Sequence, residues 1–438
     1  MKTNVKHASA EKTHEGGMSS KQLSPAQQLR RTVMACMLFE DSFYESGVDS
    51  VTRIRELIKK VSFEDAAQIA LDARTRMKLR HAPLLILREV LRLHSGRKVG
   101  DLIFEVIQRP DELGELLALY WQDGQDQPLT AQLKIGLARA LKKFDEYQLA
   151  KWNKDGAVKL RDVLFLSHAR PENEMREALF KKIAQDELQT PDTWEVSLSG
   201  GANKKETFER LIAEKKLGAL ALLRNLRGMG ETGVDRDVMR EAVRNIKVER
   251  VLPFRFISAA RYAPWLEPEL EQAMFKCLEG SDRFSGNTVL LVDHSGSMGD
   301  RVSGKSEITR FDAACGVAMI LREVCENVRI FGFSDRAVEV APRRGFALKD
   351  ALTNCMSSGG TYLGQALRQV QAAAPECERI IVITDEQSAD RPSHPNGKGY
   401  IVNIAGYKNG IGYGPWITID GWSEAVIDYI REFEKDAG

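Results

Sequence analysis

The stretch Asn287-Thr-Val-Leu-Leu-Val-Asp293-His-Ser295-Gly-Ser297-Met-Gly299 decides how the last third of this 438-residue chain folds. Its apolar, β-branched first half is typical of a buried strand in a parallel sheet. The strand pattern ends at Asp293, and two serines follow at alternate positions on a loop that glycines allow to turn tightly. Carboxylate and hydroxyl oxygens on such a loop are the ligands that a hard divalent cation prefers. The stretch therefore predicts a metal site at the end of a strand.

Two later stretches extend this candidate site. Ser357-Ser-Gly-Gly-Thr361 places another hydroxyl on a turn, and Arg379-Ile-Ile-Val-Ile-Thr-Asp385 is a second buried-strand pattern that ends in a carboxylate. Because open α/β folds bind ligands at the carboxyl ends of their strands, we expect these side chains to meet there. The predicted metal ligands are Asp293, Ser295, Ser297, Thr361 and Asp385, and an oxygen-only set favours Mg²⁺. His294 alternates with the ligands and should point away; a polar loop without metal is the alternative for the short motif alone.

Strand and helix patterns alternate from residue 288 onward. Strands are predicted at 288–293, 328–334, 379–384, 400–405 and 416–420, and helices at 310–326, 348–355, 362–373 and 422–435. Such alternation predicts a doubly wound parallel sheet with helices on both faces. The polar segment Gly280-Ser-Asp-Arg-Phe-Ser-Gly286 marks the boundary, so this α/β domain is predicted to span 284–438.

The part of the chain before this boundary has helical periodicity. Residues 1–20 are polar and are predicted to form an N-terminal arm. Ser24, Pro25 and Gln27 then give a helix start signal, and Ser62 gives another. Further helical patterns cover 101–121, 129–150, 157–167, 172–186, 205–216, 218–226 and 235–246. Successive helical hairpins predict an α-solenoid of the HEAT type over 21–283, with an irregular single-core bundle as the alternative.

Composition and charge are those of a soluble globular protein. Residues 285–438 carry 16 Lys and Arg against 20 Asp and Glu, which leaves the earlier part mildly basic and fits a polyanionic partner weakly. The chain has no apolar run long enough to span a membrane, and its N-terminus lacks the apolar core of a signal peptide. The six cysteines form no metal-binding or C-x-x-C pattern. They are predicted to be buried free thiols of a cytoplasmic protein.

Basic side chains near the predicted helix ends form the candidate RNA-binding set, because cations at helix ends can contact phosphates. They are Arg80, His81, Lys151, Lys154, His168, Arg170, Arg224 and Arg227. Each has a structural alternative: Arg224 and Arg227 could form ion pairs within the helical part, and His168 could cap a helix. Trp152 is expected to be a core residue in preference to a base-stacking platform.

Both parts of the chain resemble known families. The five predicted metal ligands match the metal-ion-dependent adhesion site (MIDAS) of von Willebrand factor A domains. The helical part resembles the TROVE module of the Ro autoantigen family in a compact, bacterial form. The strings that carry this resemblance are Gln28-Leu-Arg-Arg31, Phe39-Glu-Asp-Ser-Phe-Tyr44, Leu166-Ser-His168, Thr193-Trp-Glu195 and Ala221-Leu-Leu-Arg-Asn-Leu-Arg227. The resemblance implies a HEAT-like helical ring that the A domain closes.

The same resemblance implies a function in non-coding RNA quality control. In this family, the outer surface of the ring binds Y-like RNA, and the hole accepts single-stranded 3′ ends of misfolded RNA. His168 matches an RNA-contacting histidine and Lys151 a second contact, whereas Lys154 lies in a loop of different length. The implied partner is an exoribonuclease, polynucleotide phosphorylase, and a closed ring implies a monomer.

Two functions therefore stay open from the sequence. One is RNA binding, and the other is a Mg²⁺-dependent protein-interaction scaffold in which the A domain binds an acidic side chain. An enzyme is not expected, because the chain shows no nucleophile with a base, no paired catalytic carboxylates and no His-rich metal centre. A chelatase-like subunit is disfavoured because no phosphate-binding G-x-x-x-x-G-K-[ST] loop is present.

Overall fold

The structure is a computed structural model. It describes residues 24–35, 47–122, 124, 127–153, 156–249, 251–302, 307–385, 388–404, 416–420 and 425–435. These residues fall into two compact units: the first contains 24–33 and 51–242, and the second contains the described part of 34–50 and the described residues from 243 onward. No described helix is long and apolar enough to cross a lipid bilayer. The predicted N-terminal arm, 1–20, lies outside the described residues.

The first part of the chain is α-helical, as predicted. Its helices are α1 (Pro25–Ala35), α2 (Gly47–Ile58), α3 (Phe63–Thr75), α4 (His81–Leu93), α5 (Arg97–Val106), α6 (Asp111–Tyr120), α7 (Ala131–Leu141), α8 (Glu146–Trp152), α9 (Leu160–Ser167), α10 (Glu174–Gln185), α11 (Trp194–Ser199), α12 (Lys204–Ala213), α13 (Ala219–Glu231), α14 (Arg236–Arg244), α15 (Phe254–Tyr262) and α16 (Glu267–Leu278). Wherever the structure describes residues 24–283, it shows no strand there.

Polar side chains cap helices where the sequence predicts helix starts. Ser24 Oγ accepts the Gln27 N–H at 3.2 Å, and Gln27 Oε1 accepts the Ser24 N–H at 3.0 Å. Ser62 begins α3 in the same way, because its Oγ accepts the Asp65 N–H at 3.0 Å. These bonds satisfy N–H groups that have no partner within the first helical turn. The two predicted start signals are therefore confirmed.

Two predicted helices are each divided into two. The pattern over 101–121 contains α5 and α6, because Pro110 interrupts the backbone hydrogen bonds between them. The pattern over 129–150 contains α7 and the start of α8, which begins at a capping box formed by Asp145 and Gln148. Both breaks were missed in the sequence because the apolar periodicity continues across them. Each of these two helical patterns therefore corresponds to two helices with a break between them.

Helices of the first unit pack against near neighbours in the sequence. The packed pairs include α3 with α4, α4 with α6, α5 with α7, and α7 with α9. Contacts between elements only one or two apart are typical of a solenoid, so they favour that architecture over a single-core bundle. The helices α5 and α7 approach closely, and a Cβ at Gly136 would lie 2.7 Å from the Cβ of Ile103.

The last part of the described chain is an α/β domain. Its strands are β1 (Phe284–Asp293), β2 (Cys325–Phe333), β3 (Ala337–Glu339), β4 (Arg379–Thr384), β5 (Lys398–Asn403) and β6 (Ile417–Asp420), and its helices are α17 (Arg310–Val324), α18 (Gly345–Asn354), α19 (Leu363–Ala373) and α20 (Ala425–Lys435). The strand order is β3-β2-β1-β4-β5-β6, and each neighbouring pair is parallel except β2 with β3. The predicted doubly wound sheet is confirmed. The antiparallel β3 is not predicted, because three residues are too few to show a period of two.

Helices cover both faces of the sheet around its central strands. Val289 and Leu291 of β1 pack with Ile380 and Val382 of β4 in one apolar cluster that includes α19. Because successive side chains point to opposite faces, the alternate residues of β1 face the other layer, where α17 packs. In the sheet, β2 lies on one side of β1 and β4 lies on the other side. The carboxyl ends of β1 and β4 therefore form a topological switch point, where such sheets bind ligands.

Two helices that precede the sheet belong to the same compact unit. The helices α15 and α16 pack against each other and against α17, and α16 also contacts α18. The contact with α17 is close, since a Cβ at Gly316 would lie 2.5 Å from the ring of Phe254. The predicted limit at residue 284 marks the change from helix to strand, and as a domain boundary it remains a prediction.

The cysteines that the structure describes are free thiols, as predicted. Cys315, Cys325 and Cys377 are also buried as predicted, whereas Cys277 and Cys355 are only half-buried. Burial raises the pKa of the Cys325 thiol to about 11, which keeps it in the unreactive protonated form at neutral pH. Cys36 lies outside the described residues.

Candidate metal centre and nucleic-acid interface

The predicted metal ligands of β1 and β4 lie at one edge of the sheet. Asp293 is the last residue of β1, and Asp385 directly follows β4, which pairs with β1 in parallel. Ser295 and Ser297 lie on the loop after β1, and their hydroxyl oxygens are 3.3 Å apart. Asp293 Oδ1 accepts the Ser295 N–H at 2.7 Å, which fixes the start of the loop. The two parallel strands thus deliver both carboxylates to the same place.

Thr361 reaches this edge through a contact between two loops. Ser295 forms a parallel β-bridge with Gly359, and the Gly296 N–H donates to the Gly359 carbonyl oxygen at 3.3 Å. The segment of Thr361 is held in turn by the Ala389 N–H, which donates to the Thr361 carbonyl oxygen at 2.9 Å. These bonds bring the loop of the fifth predicted ligand beside the loop of the other hydroxyls.

The two carboxylates of this site are fully buried. Burial raises the pKa of Asp293 to about 7, and the negative charge of Asp385 adds to the rise. Thr384 Oγ1 donates to Asp293 Oδ2 at 2.5 Å. Buried carboxylates require a compensating positive charge, and a set of carboxylate and hydroxyl oxygens is what Mg²⁺ prefers. The residues therefore fit a hard divalent cation.

A buried arginine that the sequence analysis does not predict completes the site. Arg310, the first residue of α17, is 4% exposed. One of its terminal nitrogens, Nη1, lies 3.2 Å from Asp385 Oδ2 and 3.3 Å from the carbonyl oxygen of Ser297. A capping box of Thr309 and Asp312 begins α17 and could have located the residue beside the loop. No local pattern indicates that its side chain turns toward the carboxylates.

His294 is buried against other side chains of the domain. Its ring lies 4.5 Å from the ring of Phe311 in an edge-on arrangement, and its Nε2 lies 3.6 Å from Cys355 Sγ. Burial lowers the pKa of His294 to about 4, so the imidazole is neutral at physiological pH. These contacts agree with the expectation that His294 is a packing residue beside the predicted ligands.

The end of α9 exposes two of the predicted RNA-binding residues, His168 and Arg170. His168 has the left-handed conformation (φ 53°), and its backbone N–H donates to the Phe165 carbonyl oxygen at 3.2 Å. The backbone of His168 thus caps the helix, and its imidazole remains exposed. Phe165 is 55% exposed, and the Arg161 guanidinium lies 5.9 Å from the centre of its ring. Apolar periodicity assigns Phe165 to the core, so sequence reasoning misses it as a candidate for base contacts.

Lys151 lies near the end of α8 beside two aromatic rings. Its ammonium is 5.8 Å from the ring centre of Trp152 and 6.0 Å from that of Tyr147. Trp152 is half-buried, and the Arg109 guanidinium lies 3.7 Å from its ring centre. This contact covers one face of the indole, which favours a packing role for Trp152. Lys154 lies outside the described residues.

Arg80 and His81 lie beside acidic side chains at the start of α4. Arg80 pairs with Asp111 at 2.6 Å and also with Glu115. Burial and the charge of Arg80 lower the pKa of His81, so its 3.9 Å approach to Glu115 is not an ion pair at neutral pH. Arg80, Asp111, Glu115 and Trp152 line a cavity of about 310 Å³. The two carboxylates make this place less attractive to phosphate than the end of α9.

Arg224 and Arg227 are exposed on α13. Arg227 Nε lies 2.9 Å from Glu231 Oε1, one helical turn further along the chain. This pair is the structural alternative that the sequence suggests for Arg227, although an exposed ion pair of this kind contributes little to stability. For both arginines, contact with RNA remains a prediction.

Comparisons with known proteins match both parts of the chain. Residues 184–279 match the TROVE domain, and residues 288–387 match the von Willebrand factor type A domain. Telomerase protein component 1 of Rattus norvegicus and that of Mus musculus are each 32% identical to the chain over 110 residues. This match covers 24% of the chain but only 4% of those relatives.

A solved structure matches nearly the whole chain. The crystal structure of the Deinococcus radiodurans Ro (RSR) protein matches 94% of this chain and 99% of its own, with a TM-score of 0.67 and 19% sequence identity. At this identity the likeness shows a shared fold. It agrees with the predicted order of a helical part followed by an α/β domain.

Proposed function

We propose that this chain, which carries a TROVE domain followed by a von Willebrand factor type A domain, is an RNA-binding protein of non-coding RNA quality control. The TROVE match is the observation that carries the proposal, because Ro-type proteins with this domain bind RNA and are not known as enzymes. The fold shared with a Ro protein over 94% of the chain supports it. RNA is accordingly the proposed partner, and no catalytic step is assigned.

Two kinds of RNA contact belong to this proposal. Y-like RNA binds at the exposed end of α9, where His168 and Arg170 are exposed and the Arg161 guanidinium lies 5.9 Å from the exposed ring of Phe165. Cations hold phosphates there, and an aromatic ring stacks with an unpaired base. Single-stranded 3′ ends of misfolded RNA enter the hole of the ring that the family resemblance implies.

The proposal also includes a protein partner and a compartment. Exposed 3′ ends are substrates for an exoribonuclease, so polynucleotide phosphorylase is the proposed partner. The chain is proposed to act as a monomer, because the ring that the family resemblance implies would be closed by its own A domain. Free thiols among the described cysteines support a reducing compartment, and we assign the protein to the cytoplasm.

A second candidate function rests on the carboxyl edge of the sheet. Two buried carboxylates and three hydroxyl residues form an oxygen-donor set that fits Mg²⁺. With such a cation, the A domain would act as a protein-interaction scaffold that binds an acidic side chain of a partner. The two functions are compatible, because they use different units of the chain.

The test of both functions is a binding assay with an RNA duplex that carries a single-stranded 3′ tail and with the same duplex blunt-ended. We expect tail-dependent affinity that falls when the salt concentration rises, since phosphate contacts release counterions. His168→Ala should weaken binding by roughly fivefold or more, since losing one base contact costs about 1–3 kcal/mol. Lys98→Ala is the matched control, because Lys98 is an exposed cation of the same unit, with a side chain 75% exposed.

Asp293→Ala separates the two functions when RNA affinity and Mg²⁺-dependent retention of protein partners are both measured. It should leave RNA affinity unchanged while it abolishes Mg²⁺-dependent retention of any protein partner. Failure of both RNAs to bind at either salt concentration would reject the RNA function. The scaffold function would then be the one supported.

A further inference from the structure

Neither proposed function uses the most deeply buried cation beside the candidate metal centre. Arg310 is 4% exposed, and its guanidinium lies 3.2 Å from Asp385 Oδ2. Asp385 is itself fully buried and is one of the two carboxylates of the metal site. Asp385, one of the predicted metal ligands, is therefore already in contact with a positive charge of the protein itself.

Because the contact between Arg310 and Asp385 is buried, the electrostatic interaction between them is strong. A guanidinium stays charged at all physiological pH values, and removing it from water is costly unless it is paired. Solvent ions screen a buried pair much less than a pair on the surface. The guanidinium of Arg310 is therefore a positive charge beside Asp385, and any second cation near Asp385 meets its repulsion.

Asp300 places a second carboxylate close to the guanidinium. Arg310 Nη1 lies 3.7 Å from Asp300 Oδ2, and the side chain of Asp300 is 67% exposed. The backbones of the two residues are joined, since the Arg310 N–H donates to the Asp300 carbonyl oxygen at 2.8 Å. The same nitrogen of Arg310 therefore lies near both the buried carboxylate and the exposed one.

We propose that Arg310 sets the affinity of this site for divalent cations by competing for Asp385, and that Asp300 holds the guanidinium when the competitor is bound. The inference rests on the proposed metal site. It assigns two residues outside the five predicted ligands to its control. Arg310 weakens cation binding and stabilises the metal-free domain, whereas Asp300 favours cation binding.

The first experiment measures Mg²⁺ and Mn²⁺ binding to the full-length chain by calorimetry, with thermal unfolding in EDTA and in Mg²⁺ as a second readout. Arg310→Gln should bind either cation about tenfold more tightly, since one adjacent charge changes a protonation equilibrium by at least that factor. It should also unfold at a lower temperature in EDTA and gain more from added Mg²⁺ than the wild type does.

Arg379→Gln is the matched control for the loss of a buried arginine. Arg379 is also 4% exposed, but it begins β4, at the opposite end of the strand from Asp385, and pairs with Glu434 at 2.6 Å. Its loss should lower the unfolding temperature without changing cation affinity. A gain of affinity in this control would show that destabilisation alone, and not the loss of a local charge, tightens binding.

Asp300→Asn tests the role of Asp300. The expected change in cation affinity is opposite to that expected for Arg310→Gln. The substitution should weaken cation binding in the wild type and have no effect when Arg310 is already glutamine, because Asp300 acts through the guanidinium. An equal loss in both backgrounds would show that Asp300 acts on the cation directly. If Arg310→Gln does not fold, Asp300→Asn still tests the proposal, since it leaves the buried pair intact.

The outcomes also separate this inference from the proposed metal site. Cation binding by the wild type that Arg310→Gln leaves unchanged or weakens would overturn the inference alone. No cation binding by the wild type and by Arg310→Gln would overturn both the inference and the metal site. Binding by the variant but not by the wild type would support both.

Discussion

Asp293 and His294 show how burial shifts the pKa of an acid and of a base in opposite directions. Both side chains are buried at the end of β1. Burial disfavours the charged form of each, so the pKa of the acid rises to about 7 and the pKa of the base falls to about 4. The acid belongs to a site that a cation can neutralise, whereas the base packs against Phe311 and Cys355. The same physical effect therefore makes the carboxyl group of Asp293 harder to ionise and keeps the imidazole of His294 uncharged.

The pKa of His294 predicts how stability depends on pH. The folded-state pKa lies below the ordinary value of 6.5, so the unfolded chain binds the extra proton first as the pH falls. Stability from His294 is complete above pH 6.5 and is lost toward pH 4. Between pH 7 and pH 5 this residue should cost the wild type about 2 kcal/mol, a loss that His294→Gln should not show.

Urea unfolding at both pH values in EDTA measures this difference. His394→Gln is the control for the same substitution, because His394 is an exposed histidine in the same domain. Equal losses for wild type and His294→Gln would contradict the prediction.

At the scale of elements, glycines decide how closely the helices pack. Gly136 on α7 faces Ile103 on α5, where a Cβ would lie 2.7 Å from the isoleucine Cβ. A Cβ at Gly228 on α13 would meet no atom within 4 Å. Alanine improves helix propensity at both positions, but only one of them has room for the methyl group.

Alanine at these two glycines should therefore have opposite effects. Gly136→Ala gains about 1 kcal/mol of propensity but overlaps a branched side chain, so we expect a net loss of about 1–2 kcal/mol. Gly228→Ala should raise the free energy of unfolding by about 0.5–1 kcal/mol. Chemical denaturation measures both, and a stabilised Gly136→Ala would show that α5 and α7 can move apart without cost.

At the scale of the whole molecule, the change of secondary structure does not coincide with the limit of a compact unit. The helices α15 and α16 are part of the helical sequence pattern, yet they pack with α17 and α18 in the second unit. Phe254 and Ile257 of α15 are buried and lie against the position of Gly316 on α17. The α/β domain therefore obtains part of its core from helices that precede its first strand.

Fragments of the chain test this arrangement. A fragment of residues 243–438 should unfold at a temperature about 5 °C or more above that of a fragment of residues 284–438. The reason is that burying two large apolar side chains contributes several kcal/mol. Differential scanning calorimetry measures both transitions. Equal unfolding temperatures would mean that the two helices add nothing to the stability of the sheet domain.

Local patterns predict most of the fold and the ligand set because each depends on residues close together in sequence. The strand ending in Asp293 and the strand ending in Asp385 are both recognisable from their apolar runs, and parallel pairing brings such ends together. Capping at Ser24 and Ser62 is equally local. The breaks at Pro110 and Asp145 were recognisable too, but a continuous apolar period outweighed them.

The sequence by itself determined the order of a helical part and a doubly wound domain, and it placed oxygen donors at the carboxyl edge of the sheet. Only the tertiary structure decided that Arg310 lies against Asp385, 75 residues later in the chain, and that Phe165 is exposed. Periodicity describes which side of an element is apolar, whereas side-chain contacts between distant elements depend on how those elements pack. The ion pair of Arg310 and the exposure of Phe165 depend on such packing, so periodicity alone could not predict them.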